Sequence, residues 1–166
     1  MMQLSARGQQ IRQLHKTISG ESMDYPKYEA PGTVAAAVKL LSGKGTDVHI
    51  LAGGTDLLVK MHSDMIAPNV VVDIKKIAEL RTIKKEAAGY RIGAAVPGMT
   101  LVDHRDFARA WPGVIDGVKL IGSIQIKGRA TVGGNLCNAS PAADSVPPMI
   151  AAGAIATIAG PKGRRK

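Results

Sequence analysis

The spacing of hydrophobic residues predicts a protein that mixes helices and strands. Apolar residues recur at helical spacing from Val34 to Leu41, and Thr33 precedes them where an N-cap belongs. Two short apolar runs, residues 48–52 and 70–72, predict buried strands on either side of a second helix. A strand, a helix and a strand in this order predict a parallel pair with a right-handed crossover.

The pattern changes after residue 80. Residues 80–84 and 90–96 predict two strands joined by a charged turn over residues 85–89. Further helices and a final strand are predicted at residues 101–111, 114–121 and 154–159. Residues 128–148 are rich in Gly, Asn and Pro, yet too apolar and too patterned for a linker. We therefore predict an α+β chain in two lobes that join near residue 80.

The composition excludes several classes of protein. The chain has 166 residues and one cysteine, so it cannot form an intrachain disulfide framework. It also cannot by itself supply the thiolates of an iron–sulfur cluster or a zinc–thiolate site. A single cysteine fits a reducing compartment, so we expect a cytoplasmic protein. The uncharged stretch between Asp144 and Lys162 is shorter than a membrane span and holds Pro147 and Pro148.

The net charge of +9 suggests nucleic acid as a partner, but its distribution argues against one. Residues 1–22 and 161–166 carry six of these nine charges, whereas residues 23–160 are nearly balanced and poor in aromatic residues. A nucleic-acid-binding domain carries its charge on the folded body, with stacking aromatics nearby. Residues 1–22 also lack a periodic pattern, so we expect a disordered extension or a true start at Met23.

Two glycine-containing segments are candidates for ligand binding. Residues 50–57 run from an apolar strand into Gly53-Gly54 and then into a helix that Thr55-Asp56 can cap. Glycines let an anion approach the backbone, and free amides at a helix start favour phosphate. The segment is neither a P-loop nor the fingerprint G-x-G-x-x-G. A tight turn without a ligand is the alternative interpretation.

The second segment, residues 130–144, places hydrogen-bonding side chains among small residues. These side chains are Thr131, Asn135, Asn138, Ser140 and Asp144. Such a stretch can wrap a polar ligand with backbone amides and short side chains. It can equally be a buried loop whose polar groups satisfy its own backbone.

Taken together, the two segments resemble a known pair of binding motifs. Ala52-Gly53-Gly54-Thr55-Asp56 and Thr131-Val132-Gly133-Gly134-Asn135-Leu136 resemble the paired FAD-binding motifs in the flavin (medium) subunit of the molybdenum hydroxylases. This family includes xanthine dehydrogenase and carbon monoxide dehydrogenase. The resemblance continues through residues 25–31, 72–74, 91–96, 121–126 and 139–144 and covers Met23 to Gly160.

The resemblance implies a two-lobed FAD-binding fold of the vanillyl-alcohol oxidase-like type. Residues 23–80 would form a small α/β lobe, and residues 81–166 a larger α+β lobe. The sequence stops at Lys166, before the remainder of that lobe and the C-terminal domain of family members. We therefore expect a C-terminally truncated subunit with an incomplete second lobe.

The resemblance also implies FAD as the cofactor and a set of residues that bind it. Leu51–Leu58 would wrap the pyrophosphate, Thr131–Asn135 would form a second loop, and Ile121-Gly122 would pack near the flavin. Asp56 is expected to cap the helix rather than to touch phosphate. The implied residues are Leu51, Ala52, Gly53, Gly54, Thr55, Asp56, Leu57, Leu58, Ile121, Gly122, Thr131, Val132, Gly133, Gly134, Asn135 and Asp144. No catalytic side chain or metal ligand is implied.

The activity implied by the resemblance is electron transfer. Electrons would leave a molybdenum-cofactor large subunit, cross the [2Fe-2S] clusters of a small subunit, and reach FAD here. NAD, oxygen, a quinone or another acceptor would then receive them. The alternatives are a truncated, non-functional remnant of that subunit and a basic polyanion-binding protein that uses the charged ends.

The isolated histidines and the cysteine suggest structural roles. His49, His62 and His104 lack the spacing of metal ligands and are expected at the surface or at helix ends. Cys137 lies inside the second motif and is expected to be a small packing residue.

Overall fold

A three-stranded parallel sheet forms the first part of the structure. The computed structural model describes residues 25–43 and 45–166, so the expectations for residues 1–22 and for Met23 lie outside the described residues. The strands β1 (Lys27–Glu29), β2 (Val48–Leu51) and β3 (Val70–Asp73) lie in the order β1-β3-β2. The predicted parallel pair is confirmed: Val48 of β2 lies opposite Val70 of β3. Strand β1 was not predicted, because three residues are too short for a pattern.

Helices accompany this sheet as the periodicity indicated. Helix α1 (Val34–Leu41) begins at Thr33, whose Oγ1 accepts a hydrogen bond from the Ala36 amide at 3.2 Å. Helix α2 (Leu57–His62) follows β2. Two 3₁₀ turns, Ile74–Lys76 and Ala78–Arg81, then lead away from β3.

The predicted hairpin exists, but its boundaries differ from the prediction. Strands β4 (Ile83–Glu86) and β5 (Gly89–Ile92) pair antiparallel. The turn contains only two residues, because Gly89 (φ 145°) pairs directly with Glu86. The residues before β4 form the second 3₁₀ turn instead, where Leu80 packs against the core beside the parallel sheet.

The helical region after the hairpin contains more helices than the pattern predicted. They are α3 (Gly98–Val102), α4 (Arg105–Ala110), α5 (Pro112–Leu120), α6 (Ile124–Lys127), α7 (Val132–Cys137) and α8 (Val146–Ala151). The single helix predicted over 101–111 breaks because His104 caps α4, its Nδ1 accepting from the Phe107 amide at 3.2 Å. Helix α5 begins at Pro112, two residues before the helix predicted over 114–121, and the missing N–H of Pro112 removes no helical hydrogen bond.

Residues 128–148, which are too patterned for a linker, contain α7 and the start of α8. Their glycines and prolines lower the helix propensity of the sequence, since both residues disfavour helix interiors. The final strand, predicted at 154–159, is the short hairpin of β6 (Ile158–Gly160) and β7 (Gly163–Arg165). Strand β7 thus lies in the basic tail, and Arg164 forms an ion pair with Glu79 at 2.7 Å.

Two hydrophobic cores lie on either side of residues 93–97, the connecting segment between β5 and α3. The first surrounds Val72 and Ile77, and the second surrounds Leu101 and Val118. In the connecting segment, Ala95 packs into the first core. The next residue, Val96, packs into the second. The connection thus joins both halves through consecutive side chains.

Among the described residues, no helix is both long and apolar enough to span a bilayer.

The second core supplies a stability test. Leu101 is 0% exposed, so Leu101→Ala should lower the free energy of unfolding by about 2–5 kcal/mol through lost contacts and a cavity. Leu120→Ala is the matched control, because Leu120 is 70% exposed and should change stability by less than about 0.5 kcal/mol. Urea unfolding followed by circular dichroism measures both, and equal losses would contradict this account of the core.

Candidate functional site

The first motif forms a sharp turn where β2 ends. Leu51 closes the strand in a buried position, and the chain then turns through Gly53 and Gly54 before α2. Gly54 has φ +83°, a conformation that glycine adopts without steric cost. In the described part of the chain, the amides of Gly54, Thr55 and Asp56 donate no hydrogen bond to another residue. The turn therefore presents free donors.

The second motif is a helix start, not a loop. Thr131 is buried, and its Oγ1 accepts from the Gly134 amide at 2.9 Å, which caps α7. Thr131 also forms an isolated antiparallel bridge with Pro97, so the motif is attached to the connecting segment. Gly133 lies against Ala94, where an added Cβ would come within 2.7 Å of the Ala94 carbonyl oxygen. Val132 packs into the second core.

The structure brings the two motifs into direct backbone contact. A Cβ on Gly53 would lie 2.2 Å from the carbonyl oxygen of Arg129 and 2.9 Å from the Cα of Ala130. Only a residue without a side chain fits this contact, because real Cβ atoms do not approach other atoms so closely. The Nε of Arg129 also donates to the Gly53 carbonyl oxygen at 3.3 Å.

Side chains at the two helices link the motifs further. The Nδ2 of Asn138 donates to Asp56 Oδ1 at 3.0 Å, and Lys60 Nζ donates to Asn138 Oδ1 at 2.7 Å. Asp56 occupies the N-cap position of α2 but makes no capping hydrogen bond, so the expected cap is wrong. Its backbone is already helical, and its carboxylate bonds Asn138 instead.

Three of the predicted residues make no hydrogen bond to either glycine motif among the described residues. Ile121 and Gly122 follow α5, where their carbonyl oxygens accept from Lys127 Nζ at 3.4 and 2.7 Å. Asp144 makes no side-chain hydrogen bond to either motif within the described residues. Asn135 does lie in α7, but its Oδ1 accepts from the hydroxyl of buried Ser145 at 2.6 Å.

A buried carboxylate, Asp73, lies at the end of β3, opposite Leu51 at the end of β2. Its Oδ2 accepts from the Tyr28 hydroxyl at 2.6 Å, and its Oδ1 lies 2.9 Å from Lys75 Nζ and accepts from the Lys75 amide at 2.8 Å. Burial alone would raise the pKa of Asp73. The hydrogen bonds from Tyr28 and Lys75, with the charge of Lys75, outweigh burial and hold this pKa below its ordinary value. Asp73 is therefore ionised at neutral pH.

A cleft of about 380 Å³ opens beside the junction. Gly53 and Thr131 line it together with several cations. The cations are Lys75, Lys76, Arg81 and Arg129. These residues were not predicted from the sequence, and neither were Asp73 and Lys60. A basic run directly after a buried strand, Lys75-Lys76, was the one signal that could have indicated them.

The remaining polar residues have structural surroundings. His104 contacts the edge of Tyr90 with ring centroids 6.0 Å apart, at the helix end where it was expected. Cys137 is exposed, so its expected packing role is wrong: α7 ends there and turns its last residue outward. Within residues 25–43 and 45–166, no group of three or more His, Cys, Asp or Glu side chains could hold a metal ion.

Comparison with known proteins decides the family. The model for the FAD-binding domain in molybdopterin dehydrogenase matches residues 21–166. The chain belongs to this family. The family resemblance and the expected cofactor, FAD, are confirmed at this level.

Several relatives are similar to the chain over most of its length. It is 35% identical over 139 residues to the carbon monoxide dehydrogenase medium chain of Hydrogenophaga pseudoflava, covering 84% of this chain and 48% of the relative. It is 35% identical over 143 residues to the xanthine dehydrogenase FAD-binding subunit of Escherichia coli O157:H7, covering 86% and 49%. The solved structure of reconstituted CO dehydrogenase from Oligotropha carboxidovorans matches with a TM-score of 0.81 and 33% identity, covering 84% and 49%.

The chain spans about half the length of the curated relatives it matches. The fold is thus that of the FAD-binding domain in this family, with mixed helix and sheet. The vanillyl-alcohol oxidase-like type and the division into lobes at residue 80 stay predictions.

The backbone contact between the motifs can be tested by adding one methyl group. Gly53→Ala should lower the free energy of unfolding by about 1–3 kcal/mol, because the new Cβ would overlap the Arg129 carbonyl. Gly32→Ala is the control, since a Cβ there meets nothing within 4 Å. Thermal unfolding compares the two variants, and an unchanged midpoint for Gly53→Ala would refute the contact.

The depressed pKa of Asp73 predicts a dependence of stability on pH. The ionised carboxylate stabilises the fold above its unfolded pKa of about 3.9, and this stabilisation disappears as the pH falls through the lower folded value. Asp73→Asn should thus be less stable than the parent by roughly 1–3 kcal/mol near neutral pH. The gap should close in acid.

Urea unfolding at a series of pH values measures this gap. Asp106→Asn is the control, because the Asp106 side chain is 74% exposed and its ion pair with Arg109 is loose at 4.0 Å. A gap for Asp73→Asn that stays constant down to strong acid would show that the carboxylate charge does not stabilise the fold.

Proposed function

We propose that this chain binds FAD at the junction of its two glycine motifs and serves as the flavin-binding part of an electron-transfer subunit. The observation that carries the proposal is the backbone contact of Gly53 with Arg129 and Ala130. It joins two segments that are more than seventy residues apart in sequence into one continuous surface. A dinucleotide needs such a surface, because its phosphates and its rings are recognised by separate segments.

The residues at the junction suit a pyrophosphate. The free amides of Gly54, Thr55 and Asp56 are donors that a phosphate oxygen can accept from without clashing with a side chain. Lys60, half-buried beside Asn138, adds a positive charge next to the same turn. On the other side, Thr131 and Gly134 hold α7 within reach of Ala52. These two segments would hold the cofactor, as the family membership supports.

The other predicted contacts come from residues outside the two glycine motifs. We propose that Ile121, Gly122 and Asp144 meet the cofactor beyond the pyrophosphate, because they lie on segments that flank the second motif in sequence. The amide of Asn135 would instead support the site, since Ser145 occupies its oxygen.

When bound, FAD would supply the redox chemistry, the transfer of electrons from one partner to another. The side chains described above would bind and orient the cofactor. None of them is proposed as an acid, a base or a nucleophile, because the transfer of electrons requires none.

The relatives named as a medium chain and as an FAD-binding subunit belong, by those names, to larger assemblies. We propose the corresponding partners for this chain: a molybdenum-cofactor large subunit and a small subunit with [2Fe-2S] clusters. NAD, oxygen, a quinone or another acceptor would receive the electrons. A cytoplasmic location is part of the same proposal and rests on the single cysteine.

The proposal is tested by titrating the 166-residue chain with FAD and following flavin fluorescence. Saturable binding is expected. Gly134→Asp should weaken it by at least about tenfold, because a carboxylate at the junction repels the pyrophosphate.

Gly113→Asp adds the same charge at an open position on α5 and should bind FAD like the parent. A folded parent chain that binds no FAD would refute the proposal. Equal weakening in both variants would show that charge alone, not the junction, sets the affinity.

A further inference from the structure

Two consecutive carbonyl groups in the first motif each accept a hydrogen bond from a cationic side chain. Lys75 Nζ donates to the Ala52 carbonyl oxygen at 3.0 Å. Arg129 Nε donates to the Gly53 carbonyl oxygen at 3.3 Å. Lys75 comes from the turn after β3, and Arg129 comes from the segment before α7. The motif is thus held from both halves of the chain.

Lys75 is itself fixed in place. Its ammonium lies 2.9 Å from Asp73, whose other oxygen bonds the Tyr28 hydroxyl of β1. Asp73 is 6% exposed and ends the central strand of the sheet. The position of the Lys75 ammonium is therefore set by the sheet and not by solvent.

Arg129 is fixed by a second, independent contact. Its own carbonyl oxygen lies against Gly53, where a Cβ would come within 2.2 Å. The backbone and the side chain of Arg129 therefore both contact Gly53, which limits where its guanidinium can lie.

Holding the carbonyls also determines where the amides point. In a planar trans peptide the C=O and the following N–H point in opposite directions. Because the Ala52 carbonyl faces Lys75, the N–H of Gly53 points away from Lys75. Because the Gly53 carbonyl faces Arg129, the N–H of Gly54 likewise points away from Arg129. Neither amide donates a hydrogen bond to another residue in the described part of the chain, although Gly53 is buried. Buried amides normally have a partner.

We propose that Lys75 and Arg129 are positioning residues that orient the amides of Gly53 and Gly54 toward a phosphate group of the bound dinucleotide. This inference rests on the proposed function. The phosphate then lies on the amide side of the turn, and the basic cleft lies on the carbonyl side. A simpler view would place the phosphate in the cleft, among all four cations. Lys76 and Arg81 distinguish the two views, because they line the cleft but, within the described residues, make no hydrogen bond to the motif.

The test compares Lys75→Met and Arg129→Met with the controls Lys76→Met and Arg81→Met, each in the 166-residue chain. All four lose one positive charge from the same cleft. The first two should weaken FAD binding by about tenfold, the factor expected for a hydrogen bond from a charged group, and the controls by less than about twofold. Riboflavin, which lacks phosphate, should bind all five proteins equally. Lys75→Arg and Arg129→Lys should restore most of the FAD affinity.

A second measurement works without a ligand. The amide resonances of Gly53 and Gly54 in ¹⁵N–¹H spectra should shift in Lys75→Met and Arg129→Met and stay in place in the two controls. Lys75→Met leaves Asp73 with fewer partners and could unfold for that reason. In that case the double variant Asp73→Asn with Lys75→Met, which removes both charges, replaces it in the comparison.

The outcomes separate the two proposals. Equal loss of FAD affinity in all four variants would place the phosphate in the cleft and overturn the positioning role. Unshifted Gly53 and Gly54 resonances would overturn it as well. If the parent chain binds no FAD, the proposed function fails, and the glycine resonances alone decide whether Lys75 and Arg129 orient the turn.

Discussion

The contact between the backbone of Gly53 and that of Arg129 and Ala130 is the constraint on which the site depends. With an added Cβ only 2.2 Å from a carbonyl oxygen, the two segments meet without any side chain between them. The turn after β2 and the start of α7 consequently form one surface. The free amides, the Asp56–Asn138 hydrogen bond and the basic cleft all lie next to this contact.

The parallel sheet supplies the rigid side of that contact. Val72 is 0% exposed in its central strand, and the strand ends at Asp73, which lines the same cleft as Gly53. A buried carboxylate is costly unless it is hydrogen-bonded and paired. Here Tyr28 and Lys75 satisfy it, and Lys75 carries the connection onward to the Ala52 carbonyl. A charge inside the fold is thus linked directly to the backbone of the glycine turn.

The connecting segment explains why the two halves keep a defined arrangement. Gly93 packs against the backbone of Leu80, Ala95 and Val96 enter different cores, and the Gly98 amide donates to the Ala130 carbonyl at 2.8 Å. These main-chain contacts therefore hold the second motif in a defined position relative to the first. Large apolar residues elsewhere in this half remain exposed, including Ile150 and Ile155 at 73% and 69%.

Much of the fold followed from local patterns in the sequence. The strands β2 and β3, the helix α1 with its Thr33 cap and the existence of the β4–β5 hairpin were predicted, because each has a regular apolar period or a capping residue. Helices over residues 101–111 and 114–121 were also predicted, although the first is divided between α3 and α4 and the second begins earlier, at Pro112. Helix α7 around Gly133 was not predicted, since glycine lowers helical propensity while tertiary packing restores the helix. Strand β1 and the 3₁₀ turns were too short to show any period.

The sequence by itself determined the family and the two glycine motifs. Where two backbone segments approach closely, only glycine fits, and such glycines can be recognised in the sequence. Only the tertiary structure decided that Gly53 meets Arg129, that Asp56 bonds Asn138 rather than capping α2, and that Lys75 and Arg129 hold the turn. These contacts join residues that are 23 to 82 positions apart. No local pattern encodes such pairings, since they arise from how strands and helices pack.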